Sequence, residues 1–299
     1  MRMNSPTQKR ELLRCPRRYF YRYLYQPNGA DEAIAHLARG KLWGIRELGG
    51  HLIHGALAEM VRDMAKRTYH LSDNPSRWNP DRAAQVCLSK FDSIIRSSLK
   101  TGPGSFTDGK QLAETYNGLT YEDIAPEISY WRGVIPRAIA NGEKAANEIR
   151  IPAANSVVKV EAEKVIVWQS PEKRRRYVFD VLISSQYRST IIDWKCHSID
   201  NQDIDQIWHY LRYLHRIERR DCSLFGRAVD LLTGEIVDVI YNPHPPSDEA
   251  SSAVHVARLV HGDKKTVSFE PSPSPALCSR CPYSDLCEAS ATNIRLMAA

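Results

Sequence analysis

The sequence predicts an α/β protein, and three observations carry that reading. Runs at 157–160, 165–168, 178–183, 190–196, 224–232 and 236–241 are rich in β-branched and aromatic residues, which suit strands. Segments at 53–64, 79–99, 121–140 and 203–219 read as helices, the first and last with a clear apolar stripe at helical spacing. The chain has 299 residues, 42% hydrophobic and 25% charged, so a globular core of normal size can form.

The net charge of +6 is compatible with a nucleic-acid partner without requiring one. Residues 1–10 are polar, so no signal peptide is expected, and no apolar run approaches the ~20 residues of a membrane span. A cytoplasmic protein with no membrane partner is the expectation. Seven cysteines without secretory context suggest metal binding rather than a disulfide framework.

Ser5-Pro6 has the form of an N-cap followed by a first-turn proline, and Pro16 ends the short helix it opens. Cys15 therefore sits at a junction. The next helix, to about Tyr25, mixes Arg17, Arg18 and Arg22 with five aromatic residues, a pattern able to track a nucleic-acid backbone and stack on bases. The alternative is that the aromatics are core and the arginines solvated. Gly49-Gly50 precedes a helix with Ile53, Leu57, Met60, Val61 and Met64 on its stripe. His54 borders that stripe and becomes a ligand candidate if the acidic strands described next pack against it. Residues 72–147 are read as a helical insertion, with Pro126 and Pro136 as interruptions.

Two apolar runs carry charges that a buried strand would not choose: Asp180 in the first, and Asp193 and Lys195 in the second. A hairpin symmetric about 184–189 puts Asp180 opposite Asp193, while alternation puts Asp193 and Lys195 on one face. Like charges opposite one another destabilise a strand pair, and a divalent cation offsets that repulsion. The alternative is a solvated polar face. Glu161 and Glu163 on the preceding strand are within plausible reach of the same region or form a polar strand end. Lys173, Arg174, Arg175 and Arg176 read as an exposed basic tip that could touch phosphates. In the helix after the hairpin, Ile204, Ile207, Trp208, Leu211 and Leu214 form the stripe, and Gln206 and Tyr210 share a neighbouring face. A further helix is expected at 247–259.

Near the C-terminus, Cys278, Cys281 and Cys287 stand at gaps of two and five residues, which is metal-ligand spacing. Both zinc and iron–sulfur sites take four cysteines. The fourth is open among Cys15, Cys87, Cys196 and Cys222.

Six segments in this order resemble the RecB-like branch of the PD-(D/E)xK nucleases, in its iron–sulfur subgroup of CRISPR adaptation exonucleases and AddB nuclease domains. Leu13-Arg14-Cys15-Pro16-Arg17-Arg18-Tyr19-Phe20 looks like the N-terminal cysteine segment, and Gly50-x-x-x-His54 like the helix-borne metal histidine. Asp180 looks like the first metal acid, Asp193-Trp194-Lys195 like the signature Asp-x-Lys, and Gln206-x-x-x-Tyr210 like the motif that follows it. Cys278, Cys281 and Cys287 look like the terminal triplet. The family often has a glycine shortly before its first metal acid; this chain has Tyr177-Val178-Phe179 there.

The resemblance implies a restriction-endonuclease-like mixed β-sheet core flanked by helices, a helical insertion, and N- and C-terminal parts bridged by a 4Fe–4S cluster on Cys15, Cys278, Cys281 and Cys287. The expected segments are 1–71, with a cluster cysteine and the histidine; 72–147, the insertion; 148–245, the nuclease core; and 246–299, the cysteine tail, with core and termini as one domain. It also implies Mg²⁺ or Mn²⁺ held by His54, Asp180, Asp193 and the backbone carbonyl of Trp194. Lys195 would position the attacking water, with Gln206 and Tyr210 orienting DNA or the lysine. The expected activity is hydrolysis of DNA, single-stranded or at duplex ends, by an exonuclease of repair, recombination or CRISPR-type defence. A helicase, an integrase or a second copy is the expected kind of partner. The competing readings are a catalytically silent DNA-binding subunit and a zinc-stapled protein.

Overall fold

Five strands form one mixed sheet: β3 (Lys159–Ser170), β4 (Lys173–Ser184), β5 (Arg188–Lys195), β6 (Ser223–Asp230) and β7 (Ile236–Ile240), side by side in chain order; β1 (Leu42–Trp43) and β2 (Gln111–Leu112) belong to another sheet. The neighbours β3/β4, β4/β5 and β6/β7 are antiparallel, and β5/β6 is parallel. The structure, a computed structural model, describes residues 6–70, 78–106, 110–148, 159–170, 173–216, 222–241, 271–272, 274–287 and 289. The expected helix at 247–259 lies outside these residues, as do the side chains of Arg174 and Arg175.

A parallel pair needs a crossover, and the helix α8 (Asn201–Arg216) supplies it between β5 and β6. Its Ile207, Leu211 and Leu214 pack with Phe179, Leu182, Ile191 and Ala228 of the sheet in one core cluster. Gly226 lets this happen: a Cβ there would lie 2.0 Å from a methyl of Ile207.

The other helices are α1 (Pro6–Arg14), α2 (Pro16–Tyr23), α3 (Ala30–Arg39), α4 (Ile45–His70), α5 (Pro80–Thr101), α6 (Ala113–Tyr116) and α7 (Tyr121–Asn147). The strands β1 and β2 pair in parallel as a second, two-stranded sheet. Among the described residues no helix is long and apolar enough to cross a membrane.

The elements differ from expectation in four places. The helix carrying His54 begins at Ile45 and runs through Gly49 and Gly50 instead of starting after them. Gly49 is required inside it, because Trp131 lies 2.3 Å from where its Cβ would be. One continuous helix, α7, passes through Pro126 and Pro136. The burial of Ile124, Ile128, Trp131, Val134, Ile135 and Ile139 outweighs the hydrogen bonds that the prolines remove. The charged stretch at 161–164 lies within a single strand, β3, and the basic residues at 173–176 belong to β4 instead of forming a tip.

The chain forms two compact units. One comprises Met1–Gly49, Ser89–Trp131 and Ser247–Ala299; the other comprises Gly50–Leu88 and Arg132–Pro246 and holds the five-stranded sheet. The segment expected as one insertion, 72–147, is thus shared between them.

Candidate functional site

The sheet breaks its own ladder at Asp180. Pairing of β4 with β5 runs from Ser184↔Ser189 to Val181↔Ile192 and stops one step short of Asp180 and Asp193. On the other side, β3 pairs at Ala162↔Val181 and Lys164↔Phe179 but not at Glu163, the position facing Asp180. Glu163 has φ 48°, and among the described residues it is the one non-glycine with positive φ. The Asp180 side chain takes over part of the missing bonding: the Trp194 N–H donates to its Oδ2 at 2.8 Å.

His54 of α4 faces the other oxygen, with Nδ1 3.3 Å from Asp180 Oδ1. The condition placed on this histidine, that the acidic strands pack against its helix, is met. Burial works against the charge on both groups, yet each holds the other's charged form. The His54 proton affinity is raised well above that of a free imidazole, and Asp180 is held below the usual carboxylate range. Cys196 lies near enough to His54 to add to that rise and so joins this side of the site.

Asp193 and Lys195 share a face of β5, as strand alternation requires, and both are buried. The Lys195 ammonium lies in direct contact with Asp193 Oδ2. Burial pushes the Asp193 carboxyl up, Lys195 opposes this, and the nearby charge of Asp180 adds to the rise; the net shift is upward. Lys195 also donates to Gln206 Oε1 at 3.1 Å, and Gln206 Nε2 donates to the Tyr210 hydroxyl at 2.5 Å. Tyr210 is walled in by Tyr177 and Phe179, with ring centroids at 5.9 and 4.8 Å. At 5% exposure it meets the lysine's support rather than solvent.

The remaining strand acids are engaged elsewhere. Glu161 pairs with Lys159 and Lys164, and Glu163 with Arg62. One carboxylate was missed by the sequence reading: Asp203, fully buried, whose Oδ1 lies 3.3 Å from the Lys195 ammonium. The visible signal was only that of a helix start, Asp200-x-x-Asp203, in which each backbone N–H donates to the other's carboxylate.

The unit containing the chain ends holds the other cluster. Cys15, Cys278, Cys281 and Cys287 line one hollow, together with Arg14, Arg17 and Arg18. Burial pushes the Cys281 thiol up to about 12, with Cys15 and Cys278 near enough to add to the rise. By contrast, Cys87 donates to the Leu52 carbonyl and Cys222 contacts the Ser189 hydroxyl, both in the other unit. The tail is fixed by residues that no motif announced. Asn117 Nδ2 donates to the carbonyls of Ser279 and Cys281 at 2.8 and 3.2 Å. Arg39 grips Asp285, Tyr116 donates to it at 3.2 Å, and Tyr21 donates to the Leu286 carbonyl at 2.5 Å. Arg18 is ion-paired to Glu11 and Glu47, and Arg22 to Glu11, so these two charges are answered within the unit.

A family model, that of the PD-(D/E)XK nuclease superfamily, matches residues 4–288. No curated protein matches the sequence. The crystal structure of SSO0001 aligns with 57% of this chain and 79% of its own at 18% identity, with a TM-score of 0.28, too slight a likeness to bear on the fold.

Proposed function

Because the chain belongs to the PD-(D/E)XK nuclease superfamily, we propose that it is a metal-dependent deoxyribonuclease that works from DNA ends. The observation that carries this reading is the placement of Asp180, Asp193 and Lys195 at a break in the sheet, with His54 against the first acid. The exonuclease sense comes from the sequence resemblance.

His54, Asp180, Asp193 and the Trp194 carbonyl are the proposed holders of Mg²⁺ or Mn²⁺. The donor set fits such an ion by its chemistry: Asp180 and Asp193 offer carboxylate oxygens and Trp194 a carbonyl, the donors that Mg²⁺ and Mn²⁺ take, and His54 can join them once it gives up the proton that Asp180 favours. Among the described residues no three His, Cys, Asp or Glu groups are gathered as a ready-made single-ion site. Both acids therefore have to turn from their present partners. When bound, the ion supplies a hydroxide-like nucleophile and neutralises charge on the phosphate. Lys195 orients the attacking water and adds positive charge beside the phosphate in the transition state. Gln206, backed by Tyr210, holds Lys195. The Tyr210 phenol is pushed up by burial and keeps its proton.

The four clustered cysteines are the proposed seat of a 4Fe–4S cluster with a structural role. Such a cluster places one cysteine on each iron, so its ligands stand further apart than those of one ion. Their common hollow and the high proton affinity of Cys281, which a cation would relieve, support the reading.

The test is digestion of end-labelled DNA with Mg²⁺ or Mn²⁺ by the wild type and by Asp193→Ala and Lys195→Ala. Cleavage is expected in the wild type and is lost in both variants, with progressive shortening from an end. Undiminished cleavage by both variants removes the site assignment. Tight DNA binding without cleavage under either metal favours a silent DNA-binding subunit.

A further inference from the structure

An ammonium has three N–H donors and no acceptor. Lys195 has three acceptors in reach: Asp193, Gln206 at 3.1 Å and Asp203 at 3.3 Å. We propose that Asp203 is a positioning residue for the nuclease reaction, fixing with Gln206 two of the three N–H bonds so that the third points toward the reacting phosphate. The proposal rests on the nuclease reading given above.

Three features of Asp203 support it. The residue is fully buried, and burial of a carboxylate is costly unless it is paired. Its two oxygens divide two tasks: Oδ2 accepts the Asp200 N–H at 3.0 Å, and Oδ1 faces Lys195. A helix cap alone does not need a charge, since an uncharged side chain serves as well. Asp203 therefore carries more than capping requires. It also ties Lys195 to the first turn of α8, the helix that presents Gln206 one turn later. Asp193, the acid with another candidate task, touches the ammonium through Oδ2 as an ion pair without a hydrogen bond among the described residues. With two directions of a tetrahedral ammonium held by Asp203 and Gln206, the third is set, and Lys195 does not follow Asp193 if that acid turns.

The experiment compares steady-state cleavage of end-labelled DNA and thermal unfolding for the wild type, Asp203→Asn and Asp200→Ala. Asp203→Asn keeps the size and a capping oxygen but loses the charge. Asp200→Ala removes the other half of the cap and leaves Lys195 untouched. The expected result is a fall in kcat of about tenfold or more for Asp203→Asn, the scale on which supporting residues act. Its KM for DNA and its Tm stay near wild type. Asp200→Ala lowers Tm and keeps kcat. Wild-type kcat in Asp203→Asn overturns the inference, as does an equal loss of kcat in both variants. Where Asn does not fold, Asp203→Gln, an uncharged residue that serves this third helical position in a capping box, replaces it; failure of both to fold assigns Asp203 to the fold and overturns the inference too. A wild type that cleaves no DNA end sinks the nuclease reading and this inference with it. A cleaving wild type with an unaffected Asp203→Asn sinks the inference alone.

Discussion

Glu114 shows what a buried charge does without a partner such as Lys195. It is 1% exposed, and one oxygen accepts the Ile45 N–H at 3.0 Å, while the other has no hydrogen bond among the described residues. Burial pushes its carboxyl up from 4.5 to about 7; the Ile45 N–H and Arg280 oppose the rise, and Glu127 adds to it. Between those two values the folded chain binds a proton that the unfolded chain has released. Stability from this residue therefore falls as pH rises through the window and levels off above about 7. The span is on the order of 3 kcal/mol. Glu114→Gln is expected to flatten that part of the profile, giving a Tm advantage over wild type that grows between pH 5 and 8. Parallel profiles for the two proteins would count against it. Residues of this kind mark the limit of what the sequence discloses. Asp180, Asp193 and Lys195 stood out because each interrupts an apolar run. Asp203 and Glu114 sit in polar surroundings along the chain, and only the fold buries them.

At the scale of elements, the approach of α8 to β6 governs where Gln206 meets Lys195. Gly226 is the closest point: an added Cβ would meet Ile207 at 2.0 Å and Leu211 at 3.3 Å. Gly226→Ala is expected to cost about 1–3 kcal/mol in denaturant unfolding, the usual range for overpacking. Adding Ile207→Ala reopens the space, so the double variant should be more stable than the sum of the two losses implies. Strict additivity would place the strain elsewhere. The apolar stripe of α8 was legible because its period is regular and one face is buried against the sheet. The full length of β4 was not, because Lys173 to Arg176 have the composition of a turn and are held as strand by pairing with 167–170 of β3. The continuity of α7 was hidden by its two prolines, whose local cost is visible in sequence while the compensating burial is not.

At the scale of the molecule, the unit holding the chain ends is assembled from three stretches that are far apart in sequence. The cysteine spacing raised the expectation of a metal site in the tail, and the resemblance added Cys15 to it. Neither disclosed that residues 89–131 belong to the same unit, because Asn117 and Tyr116 act on the tail through side-chain hydrogen bonds that leave no periodic trace. These contacts hold the tail but leave a half-buried thiol at Cys281 whose proton affinity burial pushes up to about 12. A cluster bound there would replace thiols by iron thiolates and tie α1 and α2 to the tail through Cys15. Protein purified without oxygen is therefore expected to be brown and to carry about four iron atoms per chain, the content of one 4Fe–4S cluster. Cys281→Ser should lose the colour and most of the iron. Asn117→Ala, which frees the carbonyls of Ser279 and Cys281, should retain less iron than wild type while Asp180, Asp193 and Lys195 are untouched. Limited proteolysis read by mass spectrometry then separates the clasp from the protein contacts. If the cluster closes the unit, chelated wild type and Cys281→Ser are cut within 271–289 while the iron-loaded chain resists. A colourless wild type holding one zinc per chain would replace the cluster by a zinc staple. Equal protease resistance with and without metal would assign the closure to protein contacts such as those of Asn117, Arg39, Tyr116 and Tyr21.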